Sequence, residues 1–179
     1  MRDRGKTLVR WARASLCEKL GGARAARPDA PWSNDLGATF VTLRWHSDHR
    51  LQGCIGSIEP RRNIVDDVAQ NAIAAGTADP RTDPLVSVAD VGSIDVELSI
   101  LSTLEPTTLG EIREGTDGVV FTWGGRRATL LPSMWDRLGT TAEFMAALEK
   151  KAGFPSGRAR SDVRLFRYTV EKHVDEGES

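Results

Sequence analysis

The chain has 179 residues, 40% of them hydrophobic, enough for one ordinary globular core with room for a small subdomain. Its formal net charge is −1, so no surplus of positive charge is on hand to neutralise phosphates, and general nucleic-acid binding is disfavoured. No apolar run reaches membrane-span length, no signal-peptide core follows Met1–Lys6, and two cysteines make no disulfide framework, so a cytoplasmic protein with reduced thiols is expected.

In chain order, Leu8, Ala12, Leu16 and Leu20 fall four apart and predict an amphipathic helix ended by Gly21-Gly22. Residues 37–45 read as a strand with Val41, Leu43 and Trp45 on one face. His46–His49 make a turn, and residues 50–55 return as the hairpin partner. The run Ile64, Val65, Val68, Ala69, Ala72, Ile73 has a helical period, with Gly76 where a C-cap belongs. Asp79-Pro80-Arg81-Thr82-Asp83-Pro84 is a rigid turn, since each proline restricts the residue before it.

Ile94, Val96, Leu98 and Ile100 alternate with Asp95, Glu97 and Ser99, the pattern of a half-buried strand, and a polar loop rich in Thr and Glu follows. Residues 118–123 and 127–131 predict a second hairpin across Gly124-Gly125. Residues 132–138 open with a proline and read as a short helix. Thr140 and Glu143 match a capping box for a helix that Gly153 closes. Residues 163–170 are the last strand, and 175–179 a frayed tail. Hairpins interspersed with helices give an α+β fold with a mainly antiparallel sheet flanked by helices.

The chemistry-bearing candidates are few. Leu51-Gln52-Gly53-Cys54-Ile55-Gly56 places a cysteine between glycines at the end of an alternating run. Gly53 and Gly56 serve either unusual backbone conformation or close approach by another group. Cys54 is accordingly either a small packing hydrophobe or a thiol offered to a ligand. The second reading needs a positive charge, a base or a helix N-terminus nearby; the helix beginning near Asn63, with Arg61, Arg62, Arg44 and Arg50, could supply it. Glu97 lies on a strand face with Asp95 and Ser99, as a solvated charge or as a cleft carboxylate acting as base. Asp79 and Arg81 form a turn-fixing ion pair or line the same cleft as Cys54. Arg126 and Arg127 are solvated hairpin ends or an anion site, and Lys151 either complements its helix dipole or belongs to a binding surface.

His46 and His49 supply two potential metal ligands only, and there is no CxxC, HExxH, P-loop or GxGxxG, so neither a metal site nor a cofactor is expected.

The segment Leu51–Gly56 resembles the LRGCIG signature of the AMMECR domain family. Further segments resemble the family's motifs in the same order: 37–43, Asn71–Ala75 with Asp79-Pro80-Arg81, 96–102, the glycine-rich stretch 115–131 leading to Trp135, and Lys151-Ala152-Gly153. The likeness covers about residues 7–172 and implies a single AMMECR-type domain over 1–179, with a larger and a smaller subdomain. Two positions depart from the pattern. Gln52 stands where the family has arginine and Thr82 where it has phenylalanine, which puts in question a cationic and an aromatic contact.

The resemblance also implies partners, because similar bacterial and archaeal proteins are encoded with or fused to a Memo-like, extradiol-dioxygenase-like protein and a radical SAM enzyme. It implies no settled reaction. The leading expectation is thus a component of a modification pathway, with a cleft framed by Cys54, Glu97, Asp79 and Arg81 for a small-molecule or anionic ligand. Its rivals are a stand-alone enzyme using Cys54 as covalent nucleophile and a nucleotide or nucleic-acid binding regulator.

Overall fold

The computed structural model describes residues 2–175. The elements are α1 (Arg2–Lys19), β1 (Leu36–Gly37), β2 (Thr39–Trp45), β3 (Leu51–Gly56), β4 (Arg62–Asn63), α2 (Ile64–Thr77), α3 (Val88–Gly92) and β5 (Ile94–Leu101). They continue with β6 (Glu105–Thr107), β7 (Gly118–Trp123), β8 (Arg126–Leu130), α4 (Trp135–Leu138), α5 (Thr141–Ala152), β9 (Arg164–Tyr168) and β10 (Val170–Asp175). The fold is α+β with antiparallel sheets, as the hairpin pattern predicts. The chain divides into two units: residues up to Ile100 together with the chain from Glu171, and Leu101–Val170.

The first unit is a four-stranded sheet in the order β10-β5-β2-β3, and its core is shared with α1 and α2. Val41 and Leu43 of β2, and Ile94, Val96 and Leu98 of β5, are fully buried with Leu8, Ala12 and Leu16 of α1 and Val65, Val68 and Ala72 of α2. Each of the Val, Leu and Ile side chains contributes about 1.5–3 kcal/mol by leaving water. A buried polar network pins α2 to β2. The Asp67 carboxylate accepts from Thr39 N (2.9 Å), Thr39 Oγ1 (2.7 Å), Ser57 Oγ (2.8 Å) and Asn71 Nδ2 (3.0 Å). Asp67 and Asn71 are four apart, so one helix face presents both.

The second unit is a four-stranded sheet in the order β6-β9-β7-β8. Val119 and Phe121 of β7 and Leu130 of β8 pack with Phe144, Met145 and Leu148 of α5, and Trp135 stacks on Phe144 at 4.1 Å between ring centres. Gly124 and Gly125 both have positive φ (54° and 77°), which is what a two-residue hairpin turn demands. Thr140 Oγ1 accepts from Glu143 N–H, half of the expected capping box, while the Glu143 carboxylate takes the Thr140 hydroxyl.

Four expectations are corrected. The second helix runs past Gly76 to Thr77 and is capped at Ala78. A Cβ on Gly76 would lie 2.7 Å from Leu16 Cδ1, so this glycine lets α1 and α2 approach instead of ending α2. The polar loop after β5 contains β6 and a short 3-10 turn. The last strand is two strands, β9 and β10. Asp175, the first residue of the expected frayed tail, is held by Arg13 Nε at 2.7 Å, and residues 176–179 lie outside the described residues.

Candidate functional site

Strand β3 is the edge of its sheet, so alternate residues turn backbone N–H and C=O groups away from β2. The Asp79–Pro84 turn satisfies those groups with side chains. Asp79 Oδ2 accepts from Cys54 N at 2.8 Å, and Arg81 Nη2 donates to Cys54 O at 3.0 Å. Two residues earlier, at the bulge in the β2–β3 register, Thr82 Oγ1 donates to Gln52 O, and Gln52 Nε2 donates to Asp83 O at 2.6 Å. Asp79 and Arg81 thus form the expected turn-fixing pair and bond the Cys54 backbone. The expected cleft framed by Cys54, Glu97, Asp79 and Arg81 is corrected: of these four only Arg81 lines the groove at this edge, because Asp79 is buried under the turn and Cys54 and Glu97 lie in a row on the sheet face.

That pair is tight. Arg81 reaches the Asp79 carboxylate through Nε (2.9 Å) and Nη2 (2.6 Å), and its own N–H donates to Asp79 Oδ1 at 3.0 Å. The Asp79 side chain is fully buried, while that of Arg81 is 57% exposed. The Arg81 guanidinium, followed by the Cys54 and Arg81 backbone N–H groups, holds the Asp79 carboxyl well below the usual carboxylate range against the opposing effect of burial. Asp79 is therefore a fixed negative charge and a permanent acceptor at neutral pH.

The two glycines act by close approach. Neither has positive φ. A Cβ on Gly53 would sit 1.9 Å from Ala75 O, and one on Gly56 would sit 2.2 Å from the Phe40 ring. The end of α2 that underlies Gly53 is its C-terminal turn, so the helix N-terminus expected to activate Cys54 is not the end beside it. The expected cations are engaged elsewhere: Arg61 with Glu59, Arg62 with Gln70, Arg44 with His49 O, and Arg50 with Asp48.

Cys54 is half-buried and a free thiol. Its side chain meets Thr42, whose Oγ1 donates to Sγ at 3.1 Å. Register explains the contact, and it also brings in Glu97: Thr42 is opposite Cys54 on one side and opposite Glu97 on the other. Cys54, Thr42 and Glu97 therefore form a row across three strands on one sheet face, with Cys54 and Glu97 about 10 Å apart at two strand spacings. Glu97 Oε1 is paired with Lys172 Nζ at 3.1 Å, which extends the row to β10. Thr42 and Lys172 were not singled out in the sequence; only the cross-strand register identifies them.

Beside the clasped edge lies a groove of about 680 Å³, lined by Trp45, Arg50, Gln52, Arg81, Thr82 and Leu85 among others. That volume falls in the range of small-molecule sites. The two departures, Gln52 and Thr82, both line this groove, and Thr82 Oγ1 donates to Gln52 O, joining β3 to the turn.

Arg126, Arg127 and Lys151 belong to the second unit. Lys151 Nζ donates to Thr129 O at 2.9 Å, Arg126 Nη1 donates to Gly153 O at 3.4 Å, and Arg127 is opposite Thr122 in the β7–β8 register. His46 Nδ1 lies 2.9 Å and His49 Nδ1 3.9 Å from the Asp95 carboxylate. Among the described residues no group of three His, Cys, Asp or Glu side chains is placed to hold a metal ion, and no helix is long and apolar enough to cross a membrane.

Fold and site together define an α+β protein of antiparallel sheets that presents a glycine-flanked cysteine on an edge strand clasped by an Asp-Pro-Arg turn. Residues 9–173 match the AMMECR1 family, and the chain belongs to it. It is 34% identical to a protein of Methanothermobacter thermautotrophicus, over 98% of this chain and 96% of that one. It is also 34% identical to a protein of Thermotoga maritima, over 92% of this chain and 95% of that one. The crystal structure of an uncharacterized protein from Pyrococcus horikoshii is similar with a TM-score of 0.82 at 28% identity, covering 97% of this chain and 92% of that one.

Proposed function

We propose that this chain is the ligand-handling component of a modification pathway, acting with a Memo-like, extradiol-dioxygenase-like protein and a radical SAM enzyme, and that the groove beside Cys54 receives a small anionic molecule. The observation that carries the binding part is the clasp. A turn held by a buried, ion-paired carboxylate keeps one wall of the groove in place before any ligand arrives, so little ordering cost is left for binding. Arg50 and Arg81 line that wall, each paired with an aspartate on one side and exposed on the other, beside Asp83 and Asp90, and Trp45 and Leu85 offer apolar surface. The partnership rests on family membership and on the resemblance that goes with it.

Purification of the tagged chain from a host encoding all three proteins tests this. The expected result is enrichment of the Memo-like protein over an untagged control, and a shared phenotype when either gene is deleted. Neither enrichment nor a shared phenotype would overturn the partnership.

One observation favours the rival nucleophile reading: Thr42 is placed to donate to the Cys54 sulfur, as it would to an attacking thiolate. Alkylation followed by mass spectrometry separates the readings, with Cys17 as internal control. Burial, only partly offset by Arg13, pushes the Cys17 thiol up, so Cys17 is expected to label more slowly than Cys54 at neutral pH in the folded protein. A Cys54 midpoint well below the ordinary thiol value of about 8.5, with turnover lost in Cys54→Ser, would put the nucleophile first. Labelling of Cys54 only after unfolding would make it a packing residue.

A further inference from the structure

We infer that the ligand of the groove at the clasped edge is a zwitterion, and that Asp83 and Gln52 receive its ammonium group. The inference rests on the reading of that groove as the ligand site, and it adds a positive group to the anionic molecule proposed there.

The charged side chains lining the groove are Arg50, Arg81, Asp83 and Asp90. All but one are already answered. Arg50 is paired with Asp48 at 3.7 Å and Arg81 with Asp79 at 2.6 Å. Asp90 Oδ2 accepts from Val86 N at 3.0 Å and from Ser87 N at 2.9 Å. The Asp83 carboxylate is exposed and has no hydrogen-bond or ion-pair partner among the described residues. Its backbone is nevertheless fixed. Asp83 O accepts from Gln52 Nε2 at 2.6 Å, and Pro84 restricts the residue before it. An uncompensated negative charge is thus held at a set place on the groove wall.

Gln52 supplies a second acceptor. The residue is only 5% exposed. Its amide nitrogen goes to Asp83, and its Oε1 has no partner among the described residues. The fully sealed side-chain atoms without a partner are Arg4 Nε and Ser15 Oγ among the described residues, so Gln52 Oε1 reaches solvent. The open space that Gln52 lines is this groove.

Two acceptors side by side, one of them charged, call for a group that is positive and donates hydrogen bonds, which is an ammonium. A divalent metal ion fits less well, because it takes about six or more oxygen ligands, and no group of three His, Cys, Asp or Glu side chains is gathered for one among the described residues. The exposed sides of Arg50 and Arg81 serve the anionic group of the same molecule, and Trp45 and Leu85 its apolar part. A small molecule with all three features is of the amino-acid class.

The test follows the Trp45 indole N–H signal by NMR on the full chain, assigned with Trp45→Phe, during titration with three probes. Phenylalanine carries both charges, 3-phenylpropionate lacks the ammonium, and phenethylamine lacks the carboxylate. Saturable shifts are expected with phenylalanine, at an affinity about tenfold above that of either truncated probe. Asp83→Asn is expected to weaken phenylalanine about tenfold and to leave 3-phenylpropionate unchanged. Unchanged melting checks that this variant is folded. Binding of 3-phenylpropionate as tight as that of phenylalanine, or no effect of Asp83→Asn, would overturn the inference and leave the anionic reading standing. Phenethylamine bound as tightly as phenylalanine would overturn it in favour of a plain cation. No shift with any probe at millimolar concentration would overturn it together with the reading of the groove as a small-molecule site.

Discussion

Asp79→Ala is expected to lower the stability of the chain by about 3 kcal/mol. The substitution leaves the Cys54 and Arg81 N–H groups without their acceptor and releases the turn from β3. Arg81 can turn its half-exposed guanidinium to water, so the cost falls mainly on the two N–H groups. Asp79→Asn keeps an acceptor but loses the charge, and should cost about half as much.

Acid provides a second readout. The folded-state Asp79 carboxyl titrates below its unfolded value, so its contribution is full above about pH 4 and is lost as the pH falls through the folded-state value. The stability gap between wild type and Asp79→Asn should therefore close on acidification below about pH 4. Asp90 and Asp117 are also held low, so wild type keeps part of its acid slope from them. Urea denaturation of both proteins between neutral and low pH measures the gap. A gap that stays constant across that range would remove Asp79 from the argument.

Gly53→Ala is expected to cost about 3 kcal/mol or more. The added methyl would meet the carbonyl oxygen, carbonyl carbon and Cα of Ala75 at 1.9, 2.8 and 3.3 Å, all backbone atoms of a packed helix that no side-chain rotation relieves. Gly92 is the control: nothing lies within 4 Å of its would-be Cβ, and alanine there should change stability by no more than about 0.5 kcal/mol. Because relief requires β3 to lift from α2, Cys54 alkylation in Gly53→Ala should also change rate. Equal stability losses at the two glycines would sink the close-approach account.

Much of the framework was legible in the sequence because it follows local periodicity. The alternation through Val41 and Leu43, and through Val96 and Leu98, identified the buried faces of β2 and β5, and Gly124-Gly125 marked the hairpin turn. Close approach at Gly53 was one of two readings, and packing against Ala75 selects it over unusual backbone conformation. Gly76 misled because glycine near a helix end has two uses, capping and helix contact, and only the neighbour decides. The row Cys54–Thr42–Glu97–Lys172 was illegible as a row, since register is a relation between strands and Thr42 alone looks like any strand threonine. Asp67 and Asn71 left a weak signal, two polar residues four apart beside the apolar stripe of Ile64, Val68 and Ala72, but Asp66 and Gln70 have the same spacing, so the buried pair could not be told from the exposed one.

The chain leaves the first unit after β5 and returns as β10, which lies next to β5 in the sheet. Where it leaves and returns, the two passes are stitched together: Ser102 N–H donates to Thr169 O at 2.9 Å, and Thr169 N–H donates to Ser102 Oγ at 2.9 Å. This order has a consequence for synthesis. The ribosome delivers the whole second unit before the last strand of the first, so the first sheet waits unfinished, with one flank of β5 bare, while its neighbour can already collapse. Once the second unit has formed, the stitch holds the ends of the insertion together, and β10 is handed to β5 across a short gap instead of a long free loop. The inserted unit thereby acts as a splint for the sheet it interrupts.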